Sequence, residues 1–111
     1  MLQVQNITNE PFQRHSIIYE DYEIILILRY LHRCSIWVIN LEYIGWEVSG
    51  IKLSVGVPHI SGQNQAFDFF VSDESNNGID PYKQDDFSSG RNILYILERD
   101  DIEDIRSVEL P

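Results

Sequence analysis

Short blocks of apolar residues, separated by glycine, asparagine and proline, run through most of the chain. The longest block, residues 22–31, reads YEIILILRYL, and its isoleucine and aromatic side chains favour a β-strand over a surface helix. We expect this strand to be buried on both faces. Residues 12–18 precede it across a short polar turn, so the two segments are predicted to form an antiparallel hairpin.

A third strand is predicted at residues 35–41, which read SIWVINL. Alternation along a strand places Trp37 and Ile39 on one face and Ile36, Val38 and Asn40 on the other. Glycines then recur at positions 45, 50, 56 and 62, and each marks a turn, a bulge or a close backbone approach. Short strands fit between these glycines at residues 46–48 and 51–57.

Strand patterning returns at residues 67–72, where Phe67 and Phe69 share a face, and again at residues 92–97. A long polar loop, residues 73–90, lies between them. Residues 92–106 also fit one amphipathic helix, but we favour a strand that leads into an acidic tail. The whole pattern predicts one all-β domain over residues 1–111, a small antiparallel sandwich or barrel with an N-terminal arm at residues 1–11 and an acidic C-terminal tail at residues 98–111.

Composition and charge limit the classes of partner that this chain is expected to bind. The chain has 111 residues, 43% of them hydrophobic, which suffices for a packed core. Its formal net charge of -10 repels phosphate backbones and anionic lipid headgroups, so we expect no nucleic-acid or membrane partner. Neither a signal peptide nor an apolar run of about 20 residues is recognisable. The single cysteine, Cys34, indicates a reducing compartment and is expected to be a buried thiol.

One stretch, DESNNGID at residues 73–80, begins like a calcium-binding loop, with Asp73, Ser75, Asn77 and Gly78 at the matching positions. The match fails at the twelfth position, where Gln84 replaces the required glutamate. A different oxygen cage that includes Asp80, Asp85 and Asp86 remains an alternative. We favour a solvated turn in which Asn77 and Gly78 supply left-handed geometry, and we expect no metal or other cofactor.

The sequence also lacks the patterns of an active site. His15, His32 and His59 are 17 and 27 residues apart, which is not a zinc-ligand spacing. His32 and Cys34 would share a strand face, but proximity to a turn explains both residues more simply. We therefore predict a protein that is not an enzyme.

Two features indicate protein contacts instead. Tyr82 and Phe87 lie in the polar loop, where we expect them to be exposed as interface aromatics; the alternative is that they fold back as a lid over the end of the sandwich. In the acidic tail, Ile102 and Ile105 interrupt the charge with apolar positions suited to docking on a basic surface, although a solvated acidic tail is the commoner case.

The order of several motifs is similar to that of a known family. These motifs are SIWVINL, then GIKLSVGV at residues 50–57, a strand ending in Asp73, the Asp80-Pro81-Tyr82 and Asp85-Asp86-Phe87 segments, and Leu94-Tyr95. Over residues 12–97 the chain resembles the small baseplate plug proteins of contractile-tailed bacteriophages. It departs from them after Val57, where Pro58, His59 and Ile60 replace a leucine-rich stretch, and at the acidic C-terminal extension.

The resemblance implies an all-β structural component of the tail baseplate, placed in the virion and assembled in the cytoplasm of the host. It implies contacts with hub, spike, tube or wedge subunits and allows a homo-oligomeric ring. The alternative is a free ligand- or calcium-binding module that uses Trp46 and the DESNNGID loop. The residues predicted to make the contacts are Tyr82, Phe87, Trp46, Asp80, Pro81, Ile102 and Ile105.

Overall fold

The protein is described by a computed structural model that covers residues 2–19, 21–56, 59 and 67–97. Seven strands follow one another along the chain: β1 (Leu2–Gln3), β2 (Phe12–Tyr19), β3 (Tyr22–Leu31), β4 (Ile36–Tyr43), β5 (Trp46–Lys52), β6 (Asp68–Asp73) and β7 (Asn92–Leu97). The described ranges contain no helix, and therefore none of the length and apolarity that crossing a bilayer requires.

The strands form two antiparallel sheets that pack as a sandwich. One sheet is a four-stranded meander in the order β2-β3-β4-β5, and the other has the order β1-β7-β6. Consecutive strands of the meander are joined by short turns, as alternating strands with turn residues between them predict. The predicted all-β class and the antiparallel hairpin of β2 and β3 are confirmed.

The turn between β4 and β5 has only two residues, because Tyr43 lies opposite Trp46. Both turn residues have positive φ, 44° for Ile44 and 71° for Gly45, which is the geometry of a type I′ turn. Glycine adopts this conformation freely. The left-handed region costs other residues about 1–2 kcal/mol and suits a β-branched side chain least, so Ile44 is held there against its own preference.

A single bulged strand replaces the two short strands predicted at residues 46–48 and 51–57. The register of β4 and β5 shifts between Ile39 and Leu41, and Gly50 adopts a φ of 73° at this bulge. The Gly50 N–H donates a hydrogen bond of 2.8 Å to Asn40 Oδ1, which compensates the lost ladder contact. Strand β5 therefore continues through the glycine and ends at Lys52.

Strand β3 is buried on one face, not on both as its composition suggested. Ile24, Leu26 and Leu28 are fully buried between the sheets, whereas Ile25 and Ile27 on the opposite face are partly exposed. The second sheet covers only the inner face of the meander, which is the usual arrangement in antiparallel sandwiches. The outer face therefore carries isoleucines that the core does not use.

Aromatic rings fill much of the core. Phe67 and Phe69 share a face, as predicted, with ring centroids 5.8 Å apart, and Tyr43 packs edge-on against Phe67 at 4.9 Å. Phe87 packs edge-on against Trp37 at 5.5 Å and is only 7% exposed. The expectation that Phe87 is an exposed interface residue is wrong, because the loop that carries it folds back onto the indole of Trp37.

The sandwich is joined along one side. Val55, just beyond β5, forms a parallel bridge with Val71 of β6, and the Gly56 N–H donates to the Val71 carbonyl over 3.1 Å. On the other side, β1 and β2 are edge strands of different sheets and flank a cleft of about 330 Å³. The two sheets thus form a sandwich that is joined along one side and open along the other.

The first residues of the predicted N-terminal arm are part of the fold. Leu2–Gln3 of the predicted arm pairs with β7, and Val4 is buried, so this segment packs on the domain. The tail at residues 98–111, with Ile102 and Ile105, lies outside the described residues.

Cys34 was expected in a strand with a buried thiol, but it is exposed in the turn between β3 and β4. The strand β4 begins only at Ile36, and Ser35 before it has a φ of 52°, so the chain reverses direction at the cysteine.

Candidate interaction surface

The β6–β7 loop, residues 74–91, contains neither strand nor helix, yet its polar side chains hold it in a defined shape. Three carboxylates organise it, and each accepts hydrogen bonds from backbone N–H groups that would otherwise be unpaired.

Asp73 closes the first turn of the DESNNGID stretch. Its carboxylate accepts hydrogen bonds from the Ser75 hydroxyl, the Ser75 N–H and the Ile79 N–H. The hydroxyl of Ser75, followed by the Ile79 N–H, lowers the pKa of Asp73 from 3.8 to about 2. Left-handed geometry comes from Asn76, with a φ of 61°, and Gly78, with a φ of 65°, so the prediction is right for the glycine but falls one residue late for the asparagine.

The carboxylates proposed as an alternative oxygen cage point to separate partners. Asp80 accepts the Val55 N–H at 2.8 Å and lies 3.4 Å from Lys52 Nζ, while Asp86 is engaged with Arg91. Within the described ranges, no three His, Cys, Asp or Glu side chains are grouped to hold a metal ion.

Asp86 and Arg91 form the centre of the loop. Asp86 is buried, and its Oδ2 accepts the Tyr82 and Lys83 N–H groups at 2.8 and 2.7 Å. Both carboxylate oxygens also bind the Arg91 guanidinium, through Nε at 2.9 Å and through the second terminal nitrogen at 2.8 Å, which is a bidentate pair. The same guanidinium donates to the carbonyls of Ile79 and Asp80.

The pKa values of this pair follow from these contacts. Burial alone would raise the pKa of Asp86, but the hydrogen bond from Arg91 and those from the Lys83 and Tyr82 backbone outweigh it and lower the pKa. The hydrogen bond to Asp86 raises the pKa of Arg91. Both groups are therefore held in their charged forms.

The loop is also fastened to the four-stranded sheet. The Tyr30 hydroxyl donates to the Tyr82 carbonyl at 2.7 Å, and the Trp37 indole N–H donates to the Lys83 carbonyl at 3.0 Å. Gln84 Nε2 donates to the carbonyl of Asn9, which ties the loop to the segment before β2.

The result is an exposed aromatic ring on a fixed backbone. Tyr82 is 43% exposed, and two cations flank its ring: Lys83 Nζ at 5.5 Å and Arg91 Cζ at 5.2 Å from the ring centroid. Asp80 is partly exposed beside it, whereas Pro81 is buried. Of the residues predicted for this loop, the structure thus brings Tyr82 and Asp80 to the surface.

Trp46 lies elsewhere. It begins β5, whereas Lys52 at the other end of that strand contacts Asp80, and six residues of strand span about 20 Å. A ligand site shared by Trp46 and the DESNNGID loop, as the alternative reading required, does not match this placement.

His59 has a structural role. The Ser54 N–H donates to His59 Nε2 at 2.9 Å, so the proton lies on Nδ1, which donates to the Phe69 carbonyl at 2.7 Å. The ring thereby links the segment after β5 to strand β6.

Sequence reasoning missed Arg91 and Tyr30 as residues that build the surface. The spacing of Asp86 and Arg91 matches no recognised motif, and Tyr30 is 52 residues from its partner Tyr82. A signal was nevertheless present for Arg91, because it is the last charged residue before a predicted apolar strand and follows a loop rich in aspartate.

Comparison with family models places this all-β chain among the structural proteins of the bacteriophage tail baseplate. The matching model is described as cyanophage baseplate Pam3 plug gp18, and the match covers residues 1–100. The chain therefore belongs to this family of baseplate plug proteins, and the resemblance inferred from its motifs is confirmed. No curated protein matches the chain.

Proposed function

We propose that this baseplate plug protein works by docking onto neighbouring baseplate subunits, without a catalytic step, and that Tyr82 and Asp80 on the β6–β7 loop make part of the contact. Hub, spike, tube or wedge subunits are the proposed partners, and a ring of copies is compatible with this role. Assembly would take place in the cytoplasm of the host bacterium before the virion is complete.

The observation that carries the proposal is the ordering of the loop around Asp86 and Arg91 while the Tyr82 ring remains exposed. A loop that is already fixed loses little conformational entropy when a partner binds. Tyrosine adds a large contact area with only two side-chain torsions and a hydroxyl that can find a polar partner.

Charge supports the choice of partner. The net charge of -10 favours neighbours with basic surfaces and raises the rate of encounter with them. In the tail, Ile102 and Ile105 remain proposed secondary contacts. Phe87 and Pro81 are left out of the proposed surface because both are buried.

The test is binding of the purified protein to each baseplate protein encoded beside its gene, one at a time, by light scattering and interferometry. Tyr82→Ala should weaken one of these interactions at least about tenfold, and Tyr82→Phe should keep most of it, because the ring supplies most of the contact area. Tyr95→Ala is the matched control, since Tyr95 is partly exposed on β7 away from the loop. Absence of binding by the unaltered protein to every neighbour would refute the proposed function.

A further inference from the structure

The end of the four-stranded sheet away from the β6–β7 loop carries a second group of exposed apolar side chains. Ile18 is 68% exposed, Tyr22 54% and Ile44 59%. Ile18 and Tyr22 lie beside the β2–β3 turn, and Ile44 lies in the β4–β5 turn. Antiparallel pairing brings these two turns to the same end of the sheet. We call this group, together with the adjacent outer face, the hairpin end.

Two of the three side chains, Tyr22 and Ile44, lie close to the same residue of β4. The Tyr22 ring packs edge-on against Tyr43, with centroids 6.2 Å apart, and Ile44 directly follows Tyr43 in the chain. Ile18 lies opposite Glu23 on the outer face of the sheet, whereas Tyr22 lies opposite Tyr19 on the face that carries the buried core residues. The hairpin end therefore carries exposed apolar side chains on both faces of the sheet, with Ile44 in the turn between β4 and β5.

Ile44 occupies a turn position whose backbone conformation disfavours isoleucine. The first position of a type I′ turn favours asparagine, aspartate or glycine, yet isoleucine stands there with a φ of 44° and a largely exposed side chain. With 59% of the residue exposed, packing of the Ile44 side chain offsets at most part of this backbone cost. Strain retained without a compensating contact is typical of functional positions.

Charge at the hairpin end is also unbalanced. Glu42 and Glu47 are directly opposite each other on β4 and β5, where like charges repel. Both are exposed, and among the described residues neither is part of an ion pair. They border a groove of about 380 Å³ that Ile25 and Ile27 also line.

We propose that the hairpin end is a second docking surface and that its occupant is another baseplate subunit, which receives Ile44 in an apolar pocket rimmed by arginine or lysine. The basic rim would face Glu42 and Glu47, whose repulsion it would relieve. This inference rests on the proposed function and deepens it, because it assigns a second partner to the same plug.

The two surfaces lie at opposite ends of one sheet. Tyr22 at the hairpin end and Tyr30, which bonds the Tyr82 backbone, are eight residues apart on β3, which corresponds to about 26 Å. This separation lets two subunits bind at once without contact between them. The plug would then act as a spacer that fixes the distance between two neighbours.

Two substitutions test the surface without threatening the fold. Ile44→Asn creates the Asn-Gly pair that type I′ turns prefer, and Glu47→Lys replaces a repulsive cross-strand pair with an attractive one. Both variants should melt at a higher temperature than the unaltered protein. Each should nevertheless bind one purified baseplate neighbour at least about tenfold more weakly, because the anchor or its charge is lost.

Matched controls lie at the other end. Ile79→Asn makes the same change at an exposed isoleucine of the β6–β7 loop, and Glu74→Lys makes the same change of charge there. Neither should weaken the interaction that Ile44→Asn weakens.

The outcomes separate the two proposals. If the unaltered protein binds no neighbour, the proposed function itself fails. If it binds, and Ile44→Asn and Glu47→Lys bind every neighbour as tightly as it does, only the hairpin-end surface is refuted. If those variants change only self-association, the occupant is a second copy of this chain, and the proposed second subunit is wrong.

Discussion

Tyr82 and Phe87 are five residues apart in one loop, yet they have opposite environments. Phe87 packs against Trp37 in the core, whereas Tyr82 keeps its ring at the surface between two cations. The lid interpretation therefore holds for Phe87, and exposure holds for Tyr82. The two residues allow stability and docking to be separated by single substitutions.

Phe87→Ala should lower the free energy of unfolding by about 3–5 kcal/mol, because it leaves a cavity beside Trp37. Tyr82→Ala should change it by only about 0.5 kcal/mol, as at most exposed positions. Urea denaturation followed by tryptophan fluorescence measures both. Equal losses in the two variants would contradict the burial described for Phe87.

At the scale of the element, the β6–β7 loop is built from charges rather than from apolar packing. Its shape depends on the Asp86–Arg91 pair, on Asp73, and on the hydrogen bonds that fasten it to β3 and β4. Loss of charge at any of these groups should therefore loosen the loop before the sheets separate.

Removal of the Arg91 guanidinium leaves the buried Asp86 without its cation. We expect Arg91→Met to lower the free energy of unfolding by about 3 kcal/mol and to speed amide exchange in the loop. Arg91→Lys should recover only part of the loss, because an ammonium group cannot form the bidentate pair. Hydrogen exchange that stays slow in the Arg91→Met loop would show that the pair does not organise it.

Acid should weaken the same element. The pKa of Asp73 is about 2 in the folded protein against an ordinary 3.8, so its contribution is complete above about pH 4 and is lost as pH falls towards 2. Asp86, whose pKa is also lowered, acts in the same direction. The free energy of unfolding, measured between pH 5 and pH 2, should fall less steeply in Asp73→Asn than in the unaltered protein. Identical slopes would argue against the Asp73 turn.

At the scale of the whole molecule, one sheet separates two candidate surfaces of different chemistry. The loop surface offers a tyrosine between cations, and the hairpin end offers aliphatic and aromatic side chains beside two glutamates that lie opposite each other. Two separate surfaces of this kind suit a protein that binds two subunits at the same time.

A mixture with both partner subunits should therefore give a ternary complex whose mass equals the sum of one copy of each, by light scattering. Tyr82→Ala and Ile44→Asn should each reduce it to a different binary complex, because each removes one end. Competition of the two subunits for one site would instead give binary complexes only, and would contradict a two-ended plug.

Local patterns predicted most of the strands, because alternation and turn residues act over a few positions. Residues 22–31 and 92–97 are strands in the structure over the predicted bounds. Predictions that depend on distant contacts failed: the outer face of β3 is only partly buried, and Phe87 is buried by Trp37, which lies 50 residues away. The Asp86–Arg91 pair is close in sequence, but its spacing matches no recognised motif, and its geometry exists only after the loop has folded.

The pairing of the first strand with the last has a consequence for the order of folding. Leu2 lies opposite Ile96, so β1 must wait on the ribosome until β7 is synthesised, whereas residues 12–52 contain every strand of the meander and can form it from local contacts. We therefore expect the three-stranded sheet to be completed last, because it needs a contact between sequence positions more than ninety apart. A circular permutant that links residue 97 to residue 2 would turn this slow encounter into a short hairpin, and nucleation would no longer be confined to the meander.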